Sequence, residues 1–154
     1  MMERLSVLCA LFFLCTSISA LASENDHAGH HVQFGKPGDP TKVGRSVRVE
    51  MSDAMRFVPN KIEVKKGETI RFVVTNSGQL PHEFVLGTAK MLREHAELMK
   101  RYPKMKHSEP NQLVVAPGTT ADLVWRFDRA GMIDFACLVP KHYEAKMRGR
   151  ITVK

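Results

Sequence analysis

The chain has 154 residues, a formal net charge of +7 and three cysteines. Once an N-terminal leader is set aside, about 132 residues remain, enough for one domain with a hydrophobic core. The basic charge is spread in short runs such as Lys65-Lys66 and Lys100-Arg101, as on a solvated surface, and export argues against nucleic acid as a partner; an acidic protein, an anionic membrane surface or plain solubility fits better.

Residues 1–22 have the form of a secretory signal. Arg4 gives a positive start, Leu5 to Leu14 an apolar core, and Ala20-Leu21-Ala22 a small-residue cleavage site. The apolar run is too short to span a bilayer. No twin arginine precedes it, and neither Cys9 nor Cys15 stands in a lipoprotein context, so the expectation is an exported protein without stable membrane insertion, beginning near Ser23. Cleavage removes Cys9 and Cys15 and leaves Cys137 alone, which rules out an internal disulfide. A lone thiol in an oxidising compartment needs burial, a partner or a metal to protect it.

Residues 23–45 carry His27, His30 and His31 among Gly, Pro and acidic residues, with no apolar periodicity. They read as a flexible arm. Its histidines are either a weak, exchangeable metal-capture tract or an ordinary polar tail.

From Ser46 the pattern is β. Val47–Met51 alternates, Met55–Val58 and Lys61–Val64 are short apolar-polar runs, and Glu68–Thr75 is a longer strand rich in Ile, Phe and Val. His82–Leu86, Gln112–Val115, Thr119–Phe127, Ile133–Ala136 and Arg150–Val153 complete about eight or nine strands. Lys66-Gly67-Glu68, Asn76-Ser77-Gly78, Pro117-Gly118 and Ala130-Gly131 punctuate them as turns. The predicted fold is all-β, a β-sandwich with Greek-key connections over residues 46–154.

One amphipathic helix interrupts the strands. Lys90–Tyr102 sets Met91, Leu92, His95, Leu98, Met99 and Tyr102 on one face and Arg93, Glu94, Glu97, Lys100 and Arg101 on the other, and Pro103 ends it. Met91, His95 and Met99, with Met105 and His107 beyond, offer soft donors for Cu(I). The reading preferred here is packing, because an apolar stripe at helical spacing is usually core.

The chemistry gathers at the C-terminal end. Cys137, His142 and Met147 are five residues apart between two strand-like segments, and His82 is a fourth candidate far upstream. Two imidazoles, a thiolate and a weakly bound thioether suit one copper ion in a trigonal electron-transfer site. Zinc takes more Cys and His and rarely a thioether, and magnesium and calcium want oxygen. A Cys-His hydrolase is set aside because nothing nearby supplies an orienting residue or an oxyanion hole. Pro140 stiffens the loop. Glu83 is either a second-layer hydrogen-bond partner of the ligand loop or a solvated surface carboxylate. Leu80 and Pro81, with Leu138, Val139, Pro140 and Tyr143, would form an apolar rim around the edge of His142.

Met55-Arg56-Phe57-Val58-Pro59, the run from Val64 to Phe72, Asn76-Ser77-Gly78, His82-Glu83-Phe84 and the closing Cys137, His142 and Met147 together resemble the cupredoxins. Residues 46–154 are most similar to the small periplasmic copper-tolerance cupredoxins of the CopI type in bacteria, which also carry a His-bearing N-terminal arm. The resemblance implies His82, Cys137 and His142 as equatorial copper ligands and Met147 as the axial one. Four residues separate Cys137 from His142 and four more separate His142 from Met147; azurin-like loops resemble the first spacing but not the second. Binuclear copper centres need two cysteines in this loop, so a mononuclear centre is expected. Three functions follow in order: a non-enzymatic periplasmic copper-binding protein for copper tolerance, an electron carrier between redox enzymes or, least, a cuprous oxidase, which four protein ligands leave without an open position. Copper ions are the expected ligand, with a redox or copper-handling protein as a possible partner.

Overall fold

The computed structural model describes residues 34–103 and 108–154. The expected leader, the histidines at 27, 30 and 31, and Met105 and His107 lie outside the described residues.

Alternation builds the strands. In β2 (Arg45–Ser52), β3 (Arg56–Val58), β4 (Lys61–Val64) and β5 (Thr69–Asn76), apolar side chains at every second position turn inward, as with Ile62 and Val64 against Lys61 and Glu63. β6 (His82–Gly87), β7 (Gln112–Val115), β8 (Thr120–Arg126), β9 (Gly131–Ala136) and β10 (Arg148–Val153) follow, with a short β1 (Lys36–Pro37) ahead of them all. Each expected strand is present, its ends moved by a residue or two.

The strands form two five-stranded sheets, in the orders β1-β8-β5-β2-β3 and β4-β10-β9-β6-β7. β2 pairs with β5, and β4 with β10, in parallel; the other neighbours are antiparallel. The chain changes sheet between β3 and β4, β4 and β5, β5 and β6, β7 and β8, and β8 and β9, giving a mostly-β sandwich with one helix.

Between the sheets lies an aromatic cluster. Phe135 lies 5.0 Å from Phe57 and 5.1 Å from Phe84, and Phe84 lies 5.3 Å from Phe72, ring centre to ring centre. All four rings are buried, in tilted or edge-on arrangements that aromatic pairs favour. Phe84 follows His82 by two positions and Phe135 precedes Cys137 by two. Strand alternation therefore turns both candidate ligands inward, at the end of the aromatic core.

The described part of the expected arm, residues 34–45, lies against the first sheet. Phe34 is buried and its ring stands 5.6 Å from that of Trp125. Lys36 and Pro37 pair with Arg126 and Trp125, and Gly38 N–H donates to the Val124 carbonyl at 2.9 Å. Gly35, at φ 150°, leaves no room for a side chain: an added Cβ would stand 2.2 Å from the Arg126 carbonyl oxygen. Alternation over Val47–Met51 marks where the long strand starts, but one aromatic among glycines suffices to draw the preceding stretch onto the sheet.

The helix, α1 (Ala89–Arg101), is capped by Thr88, whose hydroxyl accepts from Met91 N–H at 3.2 Å. It packs Leu92, Ala96 and Met99 on the outer face of the second sheet, against Val85, Ala136 and Leu138, with Tyr143 at the margin. The buried stripe is rotated from the expected one. Met91, Leu98 and Tyr102 are 36%, 39% and 55% exposed, His95 lies part-way, and Ala96 lies beneath the helix. The small Ala96 lets the axis approach the sheet, and Gly87 leaves Leu92 its place. Of the proposed Cu(I) donors Met91, His95 and Met99, only Met99 belongs to the packing face.

Replacing Phe34 by Ala should lower unfolding stability by about 3 kcal/mol, read as a shift in the urea midpoint. A change within a few tenths of a kcal/mol would mean that residues 34–45 add nothing to the sandwich.

Candidate metal centre

His82 opens β6, and Cys137 directly follows β9. Between Cys137 and β10 the chain makes a loop closed at its base, where Cys137 N–H donates to the Met147 carbonyl at 3.1 Å. Inside it, His142 N–H donates to the Val139 carbonyl at 3.0 Å and Met147 N–H to the His142 carbonyl at 3.1 Å. Val139-Pro140-Lys141-His142 is thus a tight turn, with proline second and Lys141 third at φ 77°, the arrangement of a type II turn. Lys146 takes φ 66° just before Met147. Two non-glycine residues in the left-handed region store strain that the surrounding bonds hold in place.

Three donor atoms converge. The Cys137 sulfur lies 3.3 Å from His142 Nδ1 and 3.8 Å from His82 Nδ1, and the three donors all fall within 4.8 Å of one another. The imidazole ring centres are 4.9 Å apart. His82, Cys137 and Met147 are 0% exposed and His142 is 7%. Met147 is joined to the other loop donors by the two backbone bonds just described. Among the described residues this is the group of His, Cys, Asp and Glu side chains brought close enough to share one metal ion. Two imidazoles, a thiol without a disulfide partner and a neighbouring methionine fit copper by donor chemistry.

A second layer holds the first. Glu83 N–H points at the Cys137 sulfur, 3.3 Å away. Its carboxylate is no solvated surface group, for the residue is 8% exposed, and strand parity turns the side chain to the helix side with Val85. Its main chain reaches the ligand through this N–H. Asp53, which the sequence reading passed over, stands with Oδ1 3.0 Å from His82 Nε2. Gln79 N–H donates to Asp53 Oδ2 at 2.7 Å and Leu80 N–H to Oδ1 at 3.2 Å. Asn76, read only as part of a turn, is wholly buried; its amide donates to the Leu80 and Val115 carbonyls at 2.8 and 2.9 Å and accepts from Gly78 N–H at 2.9 Å. Polar Asx residues in turns were the available signal for both.

On the helix side, Lys100 Nζ lies 2.6 Å from Glu144 and 2.7 Å from Glu97, linking α1 to the ligand loop. Leu138 is buried beneath the helix and so leaves the expected rim, while Tyr143 is partly buried at the helix margin. Leu80 and Pro81 are exposed, and Val139 and Pro140 partly so.

Burial drives the protonation states. It pushes the Cys137 thiol up to about 11, partly opposed by the Glu83 amide. Burial and the nearby His82 hold His142 below the usual histidine range, so its imidazole is neutral at pH 7. The Gln79 amide, against the cost of burial and with help from His82, holds the Asp53 carboxyl low.

Two sheets with a His, Cys and His at one end define a cupredoxin. Residues 43–154 match the family described as copper binding proteins, plastocyanin/azurin family, and the chain belongs to it. It is similar to the copper-resistant cuproprotein CopI of Rubrivivax gelatinosus, at 44% identity over 98% of this chain and 96% of the relative. It is also similar to the protein of the same name from Pseudomonas aeruginosa, at 38% identity over 86% and 89%. Among solved structures, auracyanin B aligns with a TM-score of 0.65 at 18% identity, over 79% of this chain and 96% of that one. Reduced auracyanin from Roseiflexus castenholzii aligns with a TM-score of 0.63 at 18% identity, over 73% and 98%. These two likenesses show the fold.

Because the thiol must lose its proton to bind metal and His142 has none to lose, apparent metal affinity should rise about tenfold per pH unit through the neutral range. Competition titrations against a chelator of known pH dependence measure this; a flat profile would mean that Cys137 is not a ligand. Asn76→Ala, which strands the Leu80 and Val115 carbonyls and the Gly78 amide, should destabilise the protein by about 3 kcal/mol, read by chemical denaturation.

Proposed function

We propose that the chain is an exported, periplasmic copper-binding protein that serves copper tolerance, in which His82, Cys137, His142 and Met147 would hold one type 1 copper ion. The observation that carries this reading is the convergence of three buried donor atoms within 4.8 Å on a closed loop. Bound copper supplies a one-electron couple between Cu(I) and Cu(II). The residues hold the donors in one geometry for both states: β6 and β9 fix His82 and Cys137, and the bonded turns fix His142 and Met147. Burial of all four keeps water from the site. With four protein donors no position stays open for a substrate, which favours a non-enzymatic role. The tolerance role draws on the relatives named copper-resistant cuproproteins, and export on the leader read from residues 1–22. No helix among the described residues is long and apolar enough to cross a membrane.

A second reading, an electron carrier between redox enzymes, is favoured by one observation. His142 is 7% exposed while the other three donors are at 0%, so its ring edge is the route by which an electron would leave.

Titration of the chain from Ser23 with Cu(II) should give an intense visible thiolate-to-copper band that saturates at about one equivalent and is absent in Cys137→Ala. Weak absorption unchanged in the variant would place copper elsewhere and end this reading. A deletion strain should grow normally at ordinary copper and fail in excess copper. Impaired respiration at ordinary copper would favour the carrier instead.

A further inference from the structure

His82 has no contact with solvent, yet its outer ring nitrogen meets a carboxylate that does: the Asp53 side chain is 36% exposed and its Oδ1 lies 3.0 Å from Nε2. That carboxylate is seated with care. It occupies the turn between β2 and β3, closed by Met55 N–H on the Ser52 carbonyl at 3.0 Å, and accepts the amides of Gln79 and Leu80. Gly78 is what leaves it room, since a Cβ there would stand 2.1 Å from Asp53 Oδ1. Asn76 in turn holds the segment that donates those amides, through Gly78 N–H and the Leu80 carbonyl. The seat therefore joins the β2–β3 turn to the residues just ahead of His82.

We infer that Asp53 is a positioning residue that fixes the protonated nitrogen of His82 at Nε2 and biases the site toward its more positive oxidation state; this rests on the copper reading above. A carboxylate only accepts, so the imidazole must present N–H at Nε2 and leave the Nδ1 lone pair facing Cys137 and His142. A carboxylate behind a ligating imidazole also makes it a stronger donor. On one-electron reduction the site loses one unit of positive charge, so a fixed negative charge behind His82 opposes that change. Glu50 supplies an internal comparison. It is another carboxylate at the same end of β2, bonded to the Ser77 hydroxyl at 2.6 Å with no bond to His82.

The experiment compares the leaderless chain with Asp53→Asn, Asp53→Ala and Glu50→Gln. In the copper-loaded proteins, redox titration and separate Cu(II) and Cu(I) competition assays are read. In the metal-free proteins, 15N NMR reads the His82 tautomer. Asp53→Asn, which keeps the shape and removes the charge, should weaken Cu(II) binding about tenfold with Cu(I) unchanged, raising the potential by about 59 mV for a one-electron couple. Asp53→Ala should also let the metal-free imidazole populate both tautomers, while the parent shows Nε2–H alone and Glu50→Gln behaves as the parent. An unchanged potential in Asp53→Asn, an equal shift in Glu50→Gln, or an Nδ1–H tautomer in the parent would each overturn the inference. If the parent lacks the thiolate-to-copper band, the copper reading fails and the redox half falls with it; the tautomer comparison then decides the positioning half by itself.

Discussion

The bond from the Cys137 amide to the Met147 carbonyl is the constraint on which the rest of the site depends. It is the rung just beyond the β9–β10 ladder, whose last pair is Ala136 with Arg148. By closing the base it turns the residues between into a short loop rather than an open connection, and it fixes two donors, Cys137 and Met147, at the loop's feet. Within the loop, the donor left to place is His142. The Val139–His142 turn and the bond from Met147 N–H do that with backbone alone. The His142 side chain is thus spared from holding the loop and available for ligation.

Burial makes this arrangement chemically biased. A thiol at 0% exposure holds its proton more tightly than in water, while a buried imidazole gives its own up. The metal-free site therefore keeps the proton on the Cys137 thiol and leaves the His142 imidazole uncharged, which lessens the charge the fold must bury beside an aromatic core. The Glu83 amide supplies a polar contact for a thiolate, already aimed at the sulfur, and the Val139 backbone adds another.

The convergence of His82, Cys137 and His142 was legible because Cys137 is the one cysteine beyond the expected leader and the order of the three is specific, and the strands because β2 to β5 and β8 to β10 alternate plainly. Other features were hidden for physical reasons. Phe34 lies among Gly and Pro, where periodicity has nothing to count, so its contact with Trp125 is visible only in three dimensions. Ala96 carries little hydrophobic signal yet sits under α1, because closeness to the sheet and not side-chain size decides that position. Glu83 acts through an amide that every residue owns. Asp53 lies in a turn of β2–β3 and meets His82 only because the Gln79 and Leu80 amides draw it there; no spacing rule links the two.

The pairing of β4 with β10 is parallel and joins residues 61–64 to residues 150–153. A chain made from its N-terminus completes every strand but the last before that pair can form. Until Arg148 to Val153 pair with β9, the bond from Cys137 N–H to the Met147 carbonyl lacks the ladder that adjoins it. The base of the loop belongs to the local β9–β10 pairing, whereas the β4–β10 pairing adds a contact of wide sequence separation, of the kind that slows folding relative to a local hairpin. Strand β10 thus serves both sheet and site: it pairs with β4 and β9 along its length, and the residue just ahead of it closes the ligand loop.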